Sequence, residues 1–368
     1  MPGTTRVYDL ALRVFHWGLA ASFVTAWLTG GHPSRLYWHI AAGQVVTGLL
    51  LFRLSWASAG PDTARWRALL VPWTRVREHV EALLDGRALP VVGHNPLGAW
   101  AAVAGFGVLL ALSLTGLVVE GGEEGHGLLA GIPLWMGLSA HTIHGALAWA
   151  AVAWVAAHLV GVAKESLLRR FNLARTMVDG LQPGTRPEGD VRASRGVALS
   201  LLAALAGAAL YVGAPPMLAT AERPFLPYQS VLPQDAAWSS ACGDCHLAYH
   251  PSLLPARSWA RLLDQQHDHF GEDLLLTDAE LAPLRAFAAA HSAEAGESEH
   301  AVRIAAGVPA DQTPIQISDL PWWEAVHQRV TEAELAADGV DGRMDCGACH
   351  LDAKTGAFED GAMRFPKT

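Results

Sequence analysis

The chain has 368 residues, 51% of them hydrophobic, a positive mean hydropathy and a net charge of −9. That length accommodates two domains, and the clustering of the apolar residues excludes a uniformly soluble protein. No nucleic-acid partner is expected of so acidic a chain.

Five apolar runs read as membrane spans: about Ala11–Gly30, Leu36–Leu54, Leu97–Val119, His141–Ala163 and Val197–Ala214. Each approaches the roughly 20 residues that a bilayer core requires. The first has no convincing small-residue cleavage site, so it reads as a retained span and not a signal peptide. Charge divides with the runs. Residues 1–195 carry a net +4 and residues 196–368 a net −13. Arg53, Arg65, Arg67, Arg75, Arg77 and Arg87 lie between spans two and three. Lys164, Arg169, Arg170, Arg175, Arg186, Arg192 and Arg195 lie between spans four and five. The positive-inside rule puts both loops in the cytoplasm, the N-terminus with them, and everything after span five outside.

In chain order, span one carries His16 near its cytoplasmic end and span two carries His39 near its outer end. Span four carries His144 and His158, 14 residues apart. On a helix that spacing leaves the two within about 40° of one face and about 21 Å apart along the axis. Ionisable residues inside a span are costly and are functional candidates by default. Depth pairs His16 with His158 and His39 with His144, so each pair could clamp one haem iron from two helices. Gly43, Gly48, Gly145 and Gly161 would leave room for a porphyrin, or would serve close helix packing instead.

At these residues the sequence resembles the bacterial cytochrome b561 family, which includes the membrane cytochrome b subunits of nickel-iron hydrogenases. The motifs are Arg13-Val-Phe-His16-Trp17, Trp38-His39-Ile-Ala-Ala-Gly43, Gly48 to Trp56, Gly93-His94-Asn95-Pro96 and the His144/His158 span. The resemblance covers about residues 5–175. It implies a four-helix bundle with two b haems, exchanging electrons with the membrane quinone pool, and matches His16, His39, His144 and His158 to the ligand positions. His141 reads as an outer-surface residue. His94 reads as part of the cap before span three, and with Arg13 and Arg53 it is a weaker candidate for quinone chemistry. Val76–Leu84 has an amphipathic pattern and is expected along the inner surface, with His79 solvated. Residues 176–195 read as a cytoplasmic linker. Span five lacks any ionisable residue, reads as a plain anchor, and is expected to end at Pro215-Pro216.

All four cysteines fall in the last domain, as Cys242-Gly-Asp-Cys245-His246 and Cys346-Gly-Ala-Cys349-His350. Cys-x-x-Cys-His is the attachment signature of c-type haem, in which two thiols bond the porphyrin and the histidine takes the iron. The main rival is a zinc site built from two Cys pairs. Sixth ligands could come from His250, His267, His269, His291, His300, His327, Met344 or Met363. The domain also resembles the periplasmic dihaem cytochrome c family, whose partner is a small oxygen-binding haem protein. That resemblance rests on both Cys-x-x-Cys-His motifs, Leu254-Pro-Ala-Arg-Ser-Trp259, Asp268-His269-Phe270-Gly271 and Pro321-Trp322-Trp323-Glu-Ala-Val-His327. It implies bis-histidine coordination, with His269 and His327 as distal ligands. His250 stands where that pattern has proline and reads as incidental. His267, His291 and His300 read as solvent-facing. Helices are expected at about 258–266, 278–291 and 322–330, with no strands.

The whole reads as an all-α fusion. Residues 1–175 form a transmembrane dihaem cytochrome b bundle, 176–195 a linker, 196–216 a fifth span and 217–368 a periplasmic dihaem cytochrome c domain. The cofactors are two haem b and two covalent haem c, with quinone as exchangeable substrate. The location is a bacterial inner membrane. The expected role is electron transfer between the quinone pool and a soluble periplasmic redox carrier, in the direction from quinol to acceptor. With six-coordinate irons there is no open position for a substrate, so electron transfer is expected over catalysis. The rival functions are superoxide oxidation coupled to quinone, inward electron flow as in hydrogenase-type relatives, and a haem-based sensor.

Overall fold

The computed structural model describes residues 4–87, 93–184, 194–219 and 232–366. The greater part of the expected linker, with Arg186 and Arg192, and the start of the last domain near Ala221 lie outside the described residues. The chain forms two compact units. One comprises residues 1–30, 38–122 and 127–218, and the other is built on residues 219–368.

The first unit begins with a short strand, β1 (Thr4–Arg6), followed by α1 (Leu10–Thr29), α2 (Leu36–Ala59), a single turn α3 (Trp66–Leu69) and α4 (Trp73–Leu84). Then come α5 (Pro96–Glu123), α6 (Leu134–Arg169), α7 (Leu173–Asp179), β2 (Leu181–Pro183) and α8 (Arg195–Met217). Among the described residues, four helices are long and apolar enough to cross a membrane: α2, α5, α6 and α8. The 20-residue α1 is shorter than these four, and Arg13 and His16 lower its hydropathy. Only 11%, 6% and 6% of the apolar stretches of α5, α6 and α8 are buried within the protein. Trp149, Leu159, Leu202 and Leu210 are among the side chains left facing outward. In water such helices would carry a large apolar patch; in a bilayer they meet lipid.

Helix ends follow local chemistry. The 36 residues of α6 exceed the expected span because nothing interrupts the run back to Pro133, its N-cap, and it stops where Arg170 turns left-handed at φ 52°. At about 1.5 Å per residue it is longer than a hydrocarbon core, so its ends project. The helix α8 runs through Pro215 and Pro216 to Met217, where a stop at the prolines was expected. It packs along α1, with Leu201 and Leu205 against the cluster of Val7, Tyr8, Leu12, Phe15 and Leu49. It is therefore a structural neighbour of the bundle as well as an anchor.

The start of α1 is tied to the segment after α6. Asn172 accepts the Arg175 amide and nucleates α7, and β2 pairs antiparallel with β1 through Thr5 and Gln182. Gly180 caps α7 at φ 80°, and a Cβ there would strike the Tyr8 carbonyl. Residues 176–183, expected as linker, are thus ordered, and the short β-ladder was not anticipated. Its two strands carry no alternating pattern that would announce it. The helix α4 is amphipathic as expected, but His79 is buried with Val76 and Ala82 on its inner face and is not solvated. It lies 3.7 Å from Glu165 of α6.

The second unit is a set of short helices: α9 (Ala236–Cys242), α10 (Ala256–Asp264), α11 (Asp278–His291), α12 (Glu299–Gly307), α13 (Pro321–His327), α14 (Glu332–Leu335) and α15 (Cys346–Cys349). Its core gathers Trp238, Trp259, Leu284, Ile304 and Leu320. Both tryptophan N–H groups are satisfied, donating to the carbonyls of Tyr249 at 3.0 Å and Pro251 at 2.6 Å, as buried indoles require. Thr277 and Glu280 form a reciprocal capping box at the start of α11. Replacing Thr277 with Ala should cost about 1 kcal/mol. A urea titration of the full chain in detergent, followed by its c-haem absorption, would measure that loss.

Candidate functional site

Eight histidines were expected to matter, and the structure places all eight in facing or neighbouring pairs. His39 of α2 and His144 of α6 have ring centres 6.0 Å apart. His246 and His269 are 6.3 Å apart, and His327 and His350 are 6.2 Å apart. His16 of α1 lies near enough to His158 of α6 for their charges to interact. A metal–imidazole bond is about 2 Å, so one metal between two imidazole nitrogens puts the ring centres about 6 Å apart. The three measured pairs meet that separation on two differently built units.

Ring orientation follows the same logic. The Nδ1 of His39 donates to the Ala26 carbonyl at 2.8 Å, that of His246 to the Leu247 carbonyl at 2.7 Å and that of His327 to the Trp323 carbonyl at 2.8 Å. A carbonyl can only accept, so each ring carries its proton on Nδ1 and keeps the Nε2 lone pair for a metal. His144 Nδ1 is 3.0 Å from the Thr115 hydroxyl, which donates onward to the Ala111 carbonyl and so accepts from the ring. Trp154 stacks on His158 at 5.4 Å, and Trp323 on His327 at 4.1 Å. The Trp154 indole reaches that position across Gly105, where any Cβ would collide with it. Sequence reasoning missed Thr115, Trp154 and Gly105, because their roles exist only across the gap between α5 and α6. Burial pushes His350 down to about 4, with the His327 charge adding to the effect, so this imidazole is neutral and able to ligate.

Space beside the first unit's histidines answers the question left by the glycines. No atom lies within 4 Å of where a Cβ would stand at Gly43, Gly48, Gly145 or Gly161. They are not close helix contacts; Gly48, Gly145 and Gly161 stand on exposed helix surface. In the second unit a cavity of about 430 Å³ is lined by His246, Trp238, Phe287 and Lys354, with Gly347 from the other Cys-x-x-Cys-His motif. The four cysteines form no disulfide. Burial pushes the Cys242 and Cys346 thiols up to about 11, which disfavours the thiolate that zinc binding or thiol exchange needs. Among the described residues no group of three or more His, Cys, Asp or Glu converges, so the two Cys pairs do not build one zinc site.

The remaining candidates separate cleanly. His250 and His291 also have ring centres 6.3 Å apart. But His250 Nε2 donates to the Pro233 carbonyl at 3.0 Å and its Nδ1 takes the Ser252 amide, so neither nitrogen is available to a metal. His300 is buried, not solvent-facing, with Nε2 2.9 Å from the Ser252 hydroxyl. His291 is half-buried against Phe287, and His267 is exposed and bonded to Asp273. Met344 uses its carbonyl to take the Tyr249 hydroxyl, and Met363 meets His350 through its backbone. His94 does not cap α5. Asn95 does that, taking the Gly98 amide at 2.6 Å, and His94 lies edge-on to Tyr8 at 5.0 Å.

Residues 7–180 match the family described as prokaryotic cytochrome b561, and residues 238–358 that described as dihaem cytochrome c. A probable Ni/Fe-hydrogenase B-type cytochrome subunit of Azotobacter chroococcum mcd 1 is 31% identical over 47% of this chain and 86% of its own length. The chain belongs to the cytochrome b561 family. The protein of the same description from Bradyrhizobium diazoefficiens is 27% identical, over 48% of this chain and 85% of its own. A dihaem cytochrome c structure from Rhodobacter sphaeroides is 32% identical, over 35% of this chain and 99% of its own, with a TM-score of 0.31. The cytochrome b561 half is therefore joined to a dihaem cytochrome c half, and membership in these families implies haem b, haem c and electron transfer across a membrane.

Burial holds His300 of the cytochrome c half down to about 3, with the nearby His250 and His350 charges adding to the effect. In the unfolded chain it titrates near 6.5, so between those values the unfolded state binds the extra proton. Stability from this residue is full above about pH 6.5 and falls with pH by up to about 1.4 kcal/mol per unit. A pH series of unfolding midpoints should show that slope, reduced in His300→Asn.

Proposed function

We propose that the chain carries electrons from quinol in the membrane to a soluble, periplasmic redox protein, in a bacterial inner membrane spanned five times. The observation that carries this reading is the repetition of paired imidazoles about 6 Å apart in both halves, in the bundle and beside both Cys-x-x-Cys-His motifs. Haem iron bound between two imidazoles supplies one-electron chemistry, alternating between ferric and ferrous states.

The chain's own residues do the rest. His16 with His158, and His39 with His144, would hold the two b haems from α1, α2 and α6. Cys242, Cys245, Cys346 and Cys349 would bond the two c haems, His246 and His350 would take their irons, and His269 and His327 would complete them. Because α6 supplies His144 and His158 on one face, it fixes the spacing of the two b centres along the membrane normal. The Nδ1 bonds to Ala26, Thr115, Leu247 and Trp323 hold ring orientation, so little rearrangement accompanies electron gain or loss. The basic residues Arg65, Arg67, Arg75, Arg77 and Arg87 follow α2, and Lys164, Arg169, Arg170 and Arg175 close α6 and open α7. They support placing the His16–His158 end in the cytoplasm and the cytochrome c half outside. The net −13 after residue 195 favours a basic carrier, through steering that weakens with salt.

Pyridine haemochrome analysis should return two b and two c haems per chain. His158→Ala and His16→Ala should lose the same b haem, and His39→Ala and His144→Ala the other; loss of both b haems in each variant would refute the pairing. Decylubiquinol added to the oxidised protein should reduce b haem before c haem. Reduction of c first by an external donor, with quinone formed into quinol last, would reverse the direction.

A further inference from the structure

Two carboxylates are buried at the His16–His158 end, and each keeps an oxygen outside the hydrogen bonds that hold the fold. Asp9 has no exposed surface, and its carboxylate oxygens make no hydrogen bond of ordinary geometry, although Ser194, Trp56 and the Leu12 amide stand close enough to favour its charge. It stands at the N-cap of α1, where an aspartate ordinarily accepts a first-turn amide, and its side chain makes no such cap. Glu165 is 3% exposed and uses only Oε1, bonded to Arg169 at 2.7 Å; Oε2 has no hydrogen bond. A buried carboxylate oxygen requires a hydrogen-bond partner.

Their positions match. Asp9 precedes His16 by seven residues on α1, and Glu165 follows His158 by seven on α6. Seven residues are about 20° short of two turns and span about 10.5 Å. Glu165 therefore shares a helix face with His158, two turns beyond it, and Asp9 stands at the extended N-cap of α1, just before the turns that lead to His16. The start of α1 meets the end of α6, where the charges of Tyr8 and Arg169 interact, so both carboxylates lie beyond the pair on the same side. Their surroundings are polar and incompletely bonded. Arg53 of α2, buried with Nη1 unbonded, and Arg13 of α1 interact with Asp9, and Ser194 and Trp56 lie near it. His79 of α4 and Arg169 face Glu165, and both ring nitrogens of His79 are buried without a hydrogen bond.

We propose that Asp9 and Glu165 are the proton-exchange groups of a quinone site at this end, one carboxylate for each proton of a hydroquinone; the inference rests on the quinone reading above. In the oxidative direction both hydroquinone O–H bonds break. One proton goes to an Asp9 oxygen and one to a Glu165 oxygen, and two electrons leave singly along the chain, reducing two equivalents of the oxidised one-electron carrier. The quinone departs, and the two carboxylic acids release their protons to water, with His79, 3.7 Å from Glu165, as the next acceptor. Burial raises the Asp9 pKa, tempered by Ser194, Trp56 and the Leu12 amide, as suits a group that must hold a proton in transit. Burial lowers that of His79, the Glu165 charge opposing and the Arg169 charge reinforcing it, so the imidazole starts neutral and ready to accept.

The test uses the full chain in nanodiscs, with decylubiquinol as the probe. Asp9→Asn and Glu165→Gln should keep full haem content and full reduction by dithionite. Each should slow quinol-driven reduction of b haem about 100-fold, and Asp9→Glu should recover most of the rate. Independently of rate, the infrared difference spectrum of the wild type on quinol oxidation should show protonated carboxyl bands, and each variant should lose one. Unchanged rates in both variants, or a wild-type spectrum without carboxyl bands, would overturn the proposal. A wild type whose haems dithionite reduces but quinol does not would instead overturn the quinone reading beneath it.

Discussion

Two imidazoles facing one another at about 6 Å are the constraint on which both halves depend. A side chain must bring its Nε2 to a fixed point, from a backbone several ångströms behind it, with its other nitrogen tied down. In the bundle this falls on helices, because only helices satisfy their own backbone in lipid. The ladder of α6 then carries two ligands at once. In the cytochrome c half the same geometry is met by short helices and turns, with Trp323 and the Leu247 carbonyl orienting rings that no long helix supports. Different backbones reach the same separation of about 6 Å, the one that a metal held between two imidazoles would require.

This demand also explains how each half is filled. The first unit has small clusters, such as Val46, Leu50 and Leu109, and helices that turn most of their apolar surface outward. Gly43, Gly48, Gly145 and Gly161 border open space. The second unit has a larger core, yet it is assembled from helices of 4 to 14 residues that would be marginal alone. Thioether attachment to a rigid, apolar ring, as proposed for the Cys-x-x-Cys-His motifs, would supply what short helices cannot.

Much of this was legible from residue order. Apolar runs, histidine depth and two Cys-x-x-Cys-His motifs locate the helices and all eight paired histidines, since each signal lies within one stretch of chain. What escaped was set by contacts between stretches. His79 and His300 looked solvated because nothing near them in sequence shows that α4 lies over the end of α6 or that Ser252 awaits a partner. The β1–β2 ladder escaped for the same reason: three residues at each end of a 180-residue separation leave no periodic mark.

The packing of α8 along α1 has a further consequence. Electron carriers that meet by diffusion have a rate that depends on how many of each the cell makes. Here the helix that leads to the cytochrome c half is part of the cytochrome b structure, so donor and acceptor arrive as one polypeptide in fixed one-to-one ratio. Transfer between the halves becomes intramolecular, with an effective concentration set by the chain connecting them. Its rate is then independent of expression level.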